Sequence, residues 1–241
     1  FDFVYEPISG NGLMVMGNAQ ANPIYSIYSG GNWSTPTNVF SSAPNDNTVE
    51  WVELESQPGT NRIALTYMDN DKDLVSVVWD GTAWLDSNYL LAAATGTELT
   101  NKCFDAAFET LSGNLLVAWG SITSDGFHYA TFTGNGTTWS AANIATYTND
   151  DNAKNLELTP DPWTNRIGLS AKMDTNDLEL AMWNGTVFTF LRQELDTNVH
   201  DFMAAGQRHV EAAWLGTSGK FIVNYWESYS SGIVSTAYWL S

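Results

Sequence analysis

The chain has 241 residues with 27 acidic and 9 basic side chains, a net charge of −18, and an aromatic content of 13% that includes eleven tryptophans. This length suits one all-β domain or two smaller domains, and the aromatic content excludes a disordered chain. The negative charge argues against nucleic acid and anionic lipid as partners, and the absence of a long apolar run argues against membrane insertion.

The first residue and the single cysteine bear on the cellular compartment. The chain starts at Phe1, without Met or a basic leader, so we expect a mature or excised protein that is secreted or exposed at a cell surface. The acidic charge suits solubility in an extracellular medium, with divalent-cation binding as the alternative. Cys103 is predicted to be a buried hydrophobic residue, because it has no second cysteine to pair with.

In chain order, the predicted elements repeat with two alternating patterns. First-type repeats open on a motif found in residues 1–12, 104–115 and 210–220. Second-type repeats carry a different motif in residues 49–63 and 156–167, where Thr-Asn-Arg-Ile occurs twice at an offset of 104 residues. These landmarks predict a single domain, residues 1–241, with five repeats: 1–47, 48–101, 102–152, 153–207 and an incomplete 208–241.

Each repeat is predicted to contain four short strands. In the second repeat the segments Val49–Leu54, Arg62–Met68, Leu74–Trp79 and Thr82–Tyr89 are rich in β-branched and aromatic residues and are bounded by turn formers. An Asp-Gly or Asn-Gly pair separates the third and fourth segments, as tight hairpins require. Repeated four-stranded sheets predict an all-β fold of the β-propeller class, with about five blades here and six or more if a longer or partner chain continues the alternation.

The second repeat, with Asn-Arg-Ile-Ala-Leu-Thr-Tyr at 61–67 and Trp-Asp-Gly-Thr-Ala-Trp at 79–84, resembles the blades of sialidase-type and fucose-lectin-type propellers. The resemblance implies a propeller whose blade-joining loops share one rim. The sialidase Asp-box is not matched, because Asp80 directly precedes Gly81. The chain has four arginines and two of them occupy repeated positions, so too few remain to form a sialidase site. The arginine and glutamate that hold fucose in the lectins are not repeated at matching positions, so the resemblance does not imply the same sugar preference.

Unrepeated residues on the predicted rim and strands are the candidates for ligand binding. Aromatic rings stack on sugar rings, and polar neighbours fix the orientation of the sugar. The repeated aromatic positions Trp33, Trp84, Trp139 and Phe188 are predicted to pack between strands. The ligand-binding candidates are Trp51, Tyr147, Trp163, His200, Arg208, Trp226 and Tyr229.

Acidic residues recur where the first strand of a repeat begins. Asp2, Asp105 and Glu211 occupy equivalent positions there, and Glu50 takes the same place in the second repeat. Converging carboxylates could act as the acid and base of a glycoside hydrolase or could bind a cation. The alternative is a structural role, in which each carboxylate accepts a hydrogen bond from a neighbouring backbone amide.

Two further motifs each have a functional and a structural interpretation. Asp69, Asp71 and Asp73 could hold calcium, although the residues that complete a calcium loop are missing, which favours a polar turn. Asn32, Asn135 and Asn184 match the glycan-acceptor pattern, but all three fall in predicted hairpins, where turn chemistry also explains them.

The sequence therefore predicts a secreted, non-enzymatic β-propeller that serves as a binding or display module for carbohydrate recognition or adhesion. The expected partner is a cell-surface glycan. No cofactor is expected unless calcium binds at Asp69, Asp71 and Asp73. A glycoside hydrolase is one alternative. The other is a structural subunit of an extracellular layer or filament, in which copies of the chain assemble.

Overall fold

The structure is a computed structural model that describes residues 1–87, 89–93, 102–121, 126–133, 138–146, 152–197, 199, 210–226 and 234–240. These residues form β-strands and one short 3₁₀ helix, Gly216–Ser218, and no helix among them is long and apolar enough to cross a membrane. The chain divides into two compact units. The first comprises residues 1–95, 113–115 and 131–140, and the second comprises residues 96–112, 116–130 and 141–241.

The first two sheets belong to the first unit. The first sheet has the order β1-β2-β3-β4, with β5 also paired to β3, and the second has the order β6-β7-β8-β9. Their strands are β1 (Asp2–Tyr5), β2 (Gly12–Met16), β3 (Ile24–Ser29), β4 (Asn32–Trp33), β5 (Thr37–Asn38), β6 (Val49–Ser56), β7 (Ile63–Asp69), β8 (Leu74–Trp79) and β9 (Leu90–Ala92).

The other three sheets lie mostly or wholly in the second unit. Their orders are β10-β11-β12-β13, β14-β15-β16-β17 and β18-β19-β20. Their strands are β10 (Phe104–Phe108), β11 (Leu115–Gly120), β12 (Phe127–Phe132), β13 (Asn143–Ala145), β14 (Ala153–Pro160), β15 (Ile167–Met173), β16 (Leu178–Trp183), β17 (Phe188–Asp196), β18 (Val210–Leu215), β19 (Lys220–Trp226) and β20 (Val234–Leu240).

The all-β prediction is confirmed, and each predicted repeat contains one sheet. The paired strands whose register the structure describes are antiparallel, and β7, β8, β15 and β16 are buried along their whole length, as expected of sheets covered on both faces. The fifth sheet has three described strands, and the repeat boundaries with an incomplete last repeat stay predictions. Whether the chain is one domain stays a prediction.

The fourth strand of the second sheet differs from the prediction of Thr82–Tyr89. After the bridge between Trp79 and Trp84 the Leu85 amide still donates to the Val78 carbonyl over 2.8 Å, and the described residues beyond it pair with β8 again at Leu90–Ala92. This interruption is stabilised from outside the strand, because the Ser41 amide donates to the Asp86 carboxylate over 3.0 Å. Such a long-range contact is invisible to a local strand pattern.

Each described first-type sheet that is followed by a second-type sheet is joined to it by the same hydrogen-bonded contact between a glutamate and a tryptophan, here called the clasp. Glu6 is 4% exposed, and its carboxylate accepts a 2.7 Å hydrogen bond from the Trp79 indole of the next sheet. Glu109 is 2% exposed and accepts a 2.5 Å bond from Trp183 in the same way. In each clasp a serine three residues after the glutamate donates to the same carboxylate.

An asparagine of the Thr-Asn-Arg motif completes each clasp. Asn61 accepts backbone hydrogen bonds from Ile8 and Ser9, at 3.0 and 2.9 Å. Asn165 accepts two 2.9 Å bonds from the backbone amides of residues 111 and 112. The repeated motif is therefore an interlock between a first-type sheet and the second-type sheet that follows it.

Candidate functional site

The described residues form a pocket of about 410 Å³ in the first unit, where the connection after β3 meets the hairpin after β8. One wall is aromatic, and polar side chains lie around it. The lining residues are Tyr25, Thr37, Asn38, Val39, Phe40, Ser41, Thr82, Ala83, Trp84 and Asp86.

A backbone clamp fixes the wall on the β5 side. The Asn22 amide group donates to the Phe40 carbonyl over 2.7 Å and accepts from the Phe40 amide over 3.1 Å, while the Val39 amide donates to the Pro23 carbonyl. Phe40 is thereby buried, and Ser41 is presented to Asp86. The pocket wall is a hydrogen-bonded strand extension that is held in place before any ligand arrives.

The opposite wall is a hairpin shaped by Asp80. Its Oδ1 atom accepts hydrogen bonds from the Thr82 amide, the Thr82 hydroxyl and the Ala83 amide, at 2.7–2.9 Å. Burial acts to raise the pKa of Asp80, but these bonds and nearby Arg62 outweigh it and lower the pKa. Gly81 has a φ of 102°, a backbone conformation that favours glycine.

Three aromatic rings form the apolar wall behind the pocket. Tyr25, Trp79 and Trp84 contact one another with ring centroids 5.5–5.8 Å apart. Trp84 is 8% exposed, and its indole N–H is buried without a hydrogen-bond acceptor among the described residues. An unpaired buried donor costs about 1–3 kcal/mol, so a polar group that reached it from the adjacent pocket would bind favourably.

Asp86 supplies a negative charge at the mouth of the pocket. Hydrogen bonds from the backbone and side chain of Ser41 hold the pKa of Asp86 below its ordinary value. The carboxylate is therefore ionised at neutral pH. It can accept hydrogen bonds from hydroxyl groups or attract a cationic group.

The duplicated position in the second unit has a different chemistry. Tyr129, Trp183 and Phe188 form an equivalent aromatic trio with centroids 5.2–5.5 Å apart, and Phe127 packs edge-on against Phe188 at 4.9 Å. The sequence has Phe188 where the first unit has Trp84, and phenylalanine again at the position equivalent to Asp86. The N–H donor and the carboxylate are thus specific to the first copy, although the aromatic packing is common to both.

Comparisons with known proteins identify the fold. No protein-family model matches the sequence, and no curated protein matches it significantly. A mutant of the Aleuria aurantia lectin in complex with alpha-methyl-L-fucoside aligns over 98% of this chain and 74% of its own, at 12% identity and a TM-score of 0.52. Another structure of that lectin is described as a six-bladed β-propeller. This chain has a β-propeller fold.

Two other solved structures support the same fold. A triple arginine-to-alanine mutant of AofleA from Arthrobotrys oligospora aligns over 99% of this chain and 74% of its own, at 15% identity and a TM-score of 0.52. SapL1 lectin in complex with alpha methyl fucoside aligns over 99% of this chain and 80% of its own, at 10% identity and a TM-score of 0.50. The predicted β-propeller is confirmed, and the predicted resemblance is confirmed for the lectin-type propellers.

Of the seven predicted ligand-binding residues, only Trp51 and Trp163 have described side chains, and the predicted set stays a prediction. Trp51 lies half-buried on β6, and Trp163 is exposed in the turn after β14, where its backbone amide donates to Asp161 over 3.0 Å. Trp226 ends β19, but nothing of its side chain is described. Tyr147, His200, Arg208 and Tyr229 lie outside the described residues.

The pocket residues Tyr25, Trp84 and Asp86 were missed by the sequence prediction, which assigned Trp84 to packing. That assignment is half right, because Trp84 does pack in the aromatic trio. The available signal was the chemical difference between Trp84 and Phe188 at one repeat position.

The carboxylates considered for catalysis serve backbone hydrogen bonds in two of three cases. Asp2 accepts from the Phe3 amide at 2.7 Å and from the Leu54 amide of the neighbouring first strand at 2.8 Å. Asp105 repeats this with the amides of Ala106 and Leu158, at 3.0 and 2.6 Å, and has Lys102 3.5 Å away. Glu211 is exposed on β18. This geometry favours the structural interpretation, in which the aspartates tie adjacent sheets together.

The aspartate-rich loop is a hydrogen-bonded turn. Asp69 is fully buried, its Oδ1 accepts from the amides of Asp71 and Asp73 at 2.9 Å, and its Oδ2 accepts from the Asn45 side chain at 2.6 Å. Burial raises the pKa of Asp69. Among the described residues no three His, Cys, Asp or Glu side chains group closely enough to hold a metal ion, and the calcium site stays a prediction.

Two of the three glycan-acceptor asparagines are described. Asn32 is an exposed strand residue whose side chain donates to the Gly30 carbonyl over 3.2 Å. Asn184 accepts bonds from Thr186 and Val187 in its hairpin, at 2.8–3.1 Å, as Asp80 does in the second sheet. Asn135 lies outside the described residues. Turn chemistry accounts for Asn184, and glycosylation stays a prediction.

Proposed function

We propose that this β-propeller is a non-enzymatic carbohydrate-recognition protein and that the pocket of Tyr25, Trp84 and Asp86 binds the sugar. The observation that carries the proposal is one pocket that combines aromatic lining residues with an ionised carboxylate, next to a buried indole N–H that has no acceptor among the described residues. Sugars offer an apolar ring face and many hydroxyl groups, which suit these three features.

The similar lectin structures support the class of ligand but not one sugar. Two of them are complexes with a methyl fucoside. The fucose-binding arginine and glutamate implied by the resemblance are not repeated here, and no arginine lines the pocket of this chain. A hydroxyl-rich glycan that donates to Asp86 and accepts from Trp84 is therefore the proposed ligand, without restriction to fucose.

The same proposal covers partner, compartment and cofactor. A glycan on a cell surface is the partner, and the protein is secreted or surface-exposed, which its acidic composition suits. Binding needs no metal, because the proposed contacts are ring stacking and hydrogen bonds. Sugar binding that is unchanged in EDTA supports this, and binding that is lost in EDTA and restored by calcium contradicts it.

A glycan array followed by calorimetry with the strongest glycan tests the function. Trp84→Phe keeps the packing, as Phe188 does in the second unit, but removes the N–H donor, and Asp86→Asn removes the charge. Each should weaken binding about 5- to 10-fold, because one hydrogen bond contributes about 1–1.5 kcal/mol. Circular dichroism verifies that both variants fold.

The control is Trp163→Phe, which changes an exposed tryptophan of the second unit that does not line the pocket and should leave affinity unchanged. Failure of all glycans to bind contradicts the function. A glycan whose affinity falls only on Trp163→Phe would move the site to the turn after β14. Release of reducing sugar during the incubation would favour the hydrolase alternative, with Asp2, Asp105 and Glu211 to be tested next.

A further inference from the structure

The first sheet exposes an aromatic face that the proposed sugar site does not use. Phe3, Tyr5, Tyr28 and Trp33 form this face, with ring centroids 4.9 Å apart for Phe3 and Tyr5, 5.8 Å for Phe3 and Trp33, and 5.2 Å for Tyr28 and Trp33. Tyr5 is 56% exposed and Trp33 is 48% exposed. The opposite face of the sheet, with Leu13 and Val15, is buried in the core of the first unit.

The same face is covered in the other first-type sheets. Phe108 holds the position of Tyr5 in the third sheet and is 2% exposed. In the fifth sheet Trp214 holds that position and packs, together with Phe221 and Val223, on a core that includes β16 residues. Burial is therefore the ordinary state of this face, and the first sheet is the exception.

In the fifth sheet this face is covered by a second-type sheet, and the contact between the two sheets is specific. The Arg166 guanidinium lies 4.8 Å from the centre of the Trp214 ring, and the Trp214 indole donates to the Thr159 carbonyl over 2.8 Å. Gly168 lets the sheets approach, because a Cβ atom there would lie 2.4 Å from the Phe221 ring. An arginine over an aromatic ring contributes about 0.5–2 kcal/mol.

The contact occurs again in the first unit. Arg62, the equivalent arginine of the second sheet, lies 5.6 Å from the centre of the Phe132 ring, and Phe132 belongs to a first-type sheet. Both arginines come from the Thr-Asn-Arg-Ile motif that defines second-type repeats. Arginine on an aromatic ring is thus the recurring feature where a second-type sheet meets the first-type sheet that follows it in the chain.

We propose that the aromatic face of Phe3, Tyr5, Tyr28 and Trp33 docks one further β-sheet of the second repeat type, whose motif arginine lies over Tyr5. The second-type sheets already present cannot supply it, in this chain or in another copy, because their central strands β7, β8, β15 and β16 are completely buried. The occupant is therefore an additional sheet that carries the Thr-Asn-Arg-Ile motif. This inference does not depend on sugar binding.

The test fuses residues 48–103, a complete second-type repeat with the two residues that follow it, directly before Phe1 of the full chain, which reproduces the junction between residues 103 and 104. Hydroxyl-radical labelling read by mass spectrometry measures the accessibility of Tyr5 and Trp33. We expect labelling of both residues to fall at least fivefold relative to the unfused chain, and Trp163, exposed in the turn after β14, serves as the internal control.

Two matched variants separate specific docking from general adhesion. The fusion with Arg62→Ala in the added repeat alone should recover at least half of the lost labelling of Tyr5 and Trp33, and Tyr5→Ser in the fused chain should recover at least half of the lost labelling of Trp33. Unchanged labelling in the parent fusion, or equal protection with and without the added arginine, overturns the proposal. A concentration-dependent dimer of the unfused chain that Tyr5→Ser abolishes also overturns it, because a second copy would then occupy the face.

Discussion

Removal of the Glu6–Trp79 clasp should destabilise the first unit through one measurable interaction. The Trp79 indole donates to the Glu6 carboxylate over 2.7 Å at a site where Glu6 is 4% exposed. Hydrogen bonds to charged groups contribute about 1.5–3 kcal/mol. We expect the double-mutant cycle of Glu6→Ala, which removes the acceptor, and Trp79→Phe, which removes the donor, to give a coupling free energy of about 2 kcal/mol.

The assay is urea unfolding followed by near-ultraviolet circular dichroism, with the melting temperature as a second reading. For a chain of this length about 2 kcal/mol corresponds to roughly 4–8 °C. The cycle of Glu109→Ala and Trp183→Phe is the matched measurement in the second unit, where the bond is 2.5 Å. Coupling below about 0.5 kcal/mol in both cycles would refute the claim that these bonds hold successive sheets together.

Three more predictions follow from single residues. Because hydrogen bonds lower the pKa of Asp86, sugar binding should stay constant from pH 8 to pH 5 and weaken only below the ordinary aspartate value near pH 4; calorimetry in which binding already falls at pH 6 contradicts the role of this carboxylate. Burial raises the pKa of Asp69, so the folded protein binds more protons than the unfolded one just above pH 4, and stability should fall as pH rises through that window. Urea titrations at several pH values should show no such fall in stability for Asp69→Asn. Stability that depends on pH equally in this variant and in the parent protein would contradict the prediction. Gly168→Ala should cost about 1–3 kcal/mol by overpacking against Phe221, and Phe221→Leu should recover part of the loss in the urea midpoint; an unchanged midpoint for Gly168→Ala alone would show that the ring moves freely.

The sequence was most informative where residues repeat. The shared Thr-Asn-Arg motif predicted a repeated unit, and the structure shows Asn61 and Asn165 accepting the same pair of backbone hydrogen bonds. The strands on either side were predicted within about one or two residues, for example Leu74–Trp79, because a buried strand has a continuous apolar pattern.

Prediction failed where distant residues decide the local conformation. The fourth strand of the second sheet begins at Leu90 and not at Thr82, because Asp86 binds the backbone of Ser41, 45 positions earlier. Asp2 accepts a hydrogen bond from the Leu54 amide, as the structural alternative expected of a neighbouring backbone amide, but the sequence did not identify Leu54 as the donor. A residue type that suits catalysis in sequence thus serves as a backbone acceptor in three dimensions.

The candidate site shows why repetition alone is a poor guide to function in a repeat protein. Trp84 was set aside because its position recurs, yet the position recurs as phenylalanine in the second unit, and the polar groups change while the packing stays. Duplication allows this separation: each copy keeps the glutamate clasp that holds its sheets, so side chains at the pocket can change without loss of the fold. The informative comparison is therefore between chemical groups at aligned positions. In this chain it singles out the indole N–H of Trp84 and the carboxylate of Asp86.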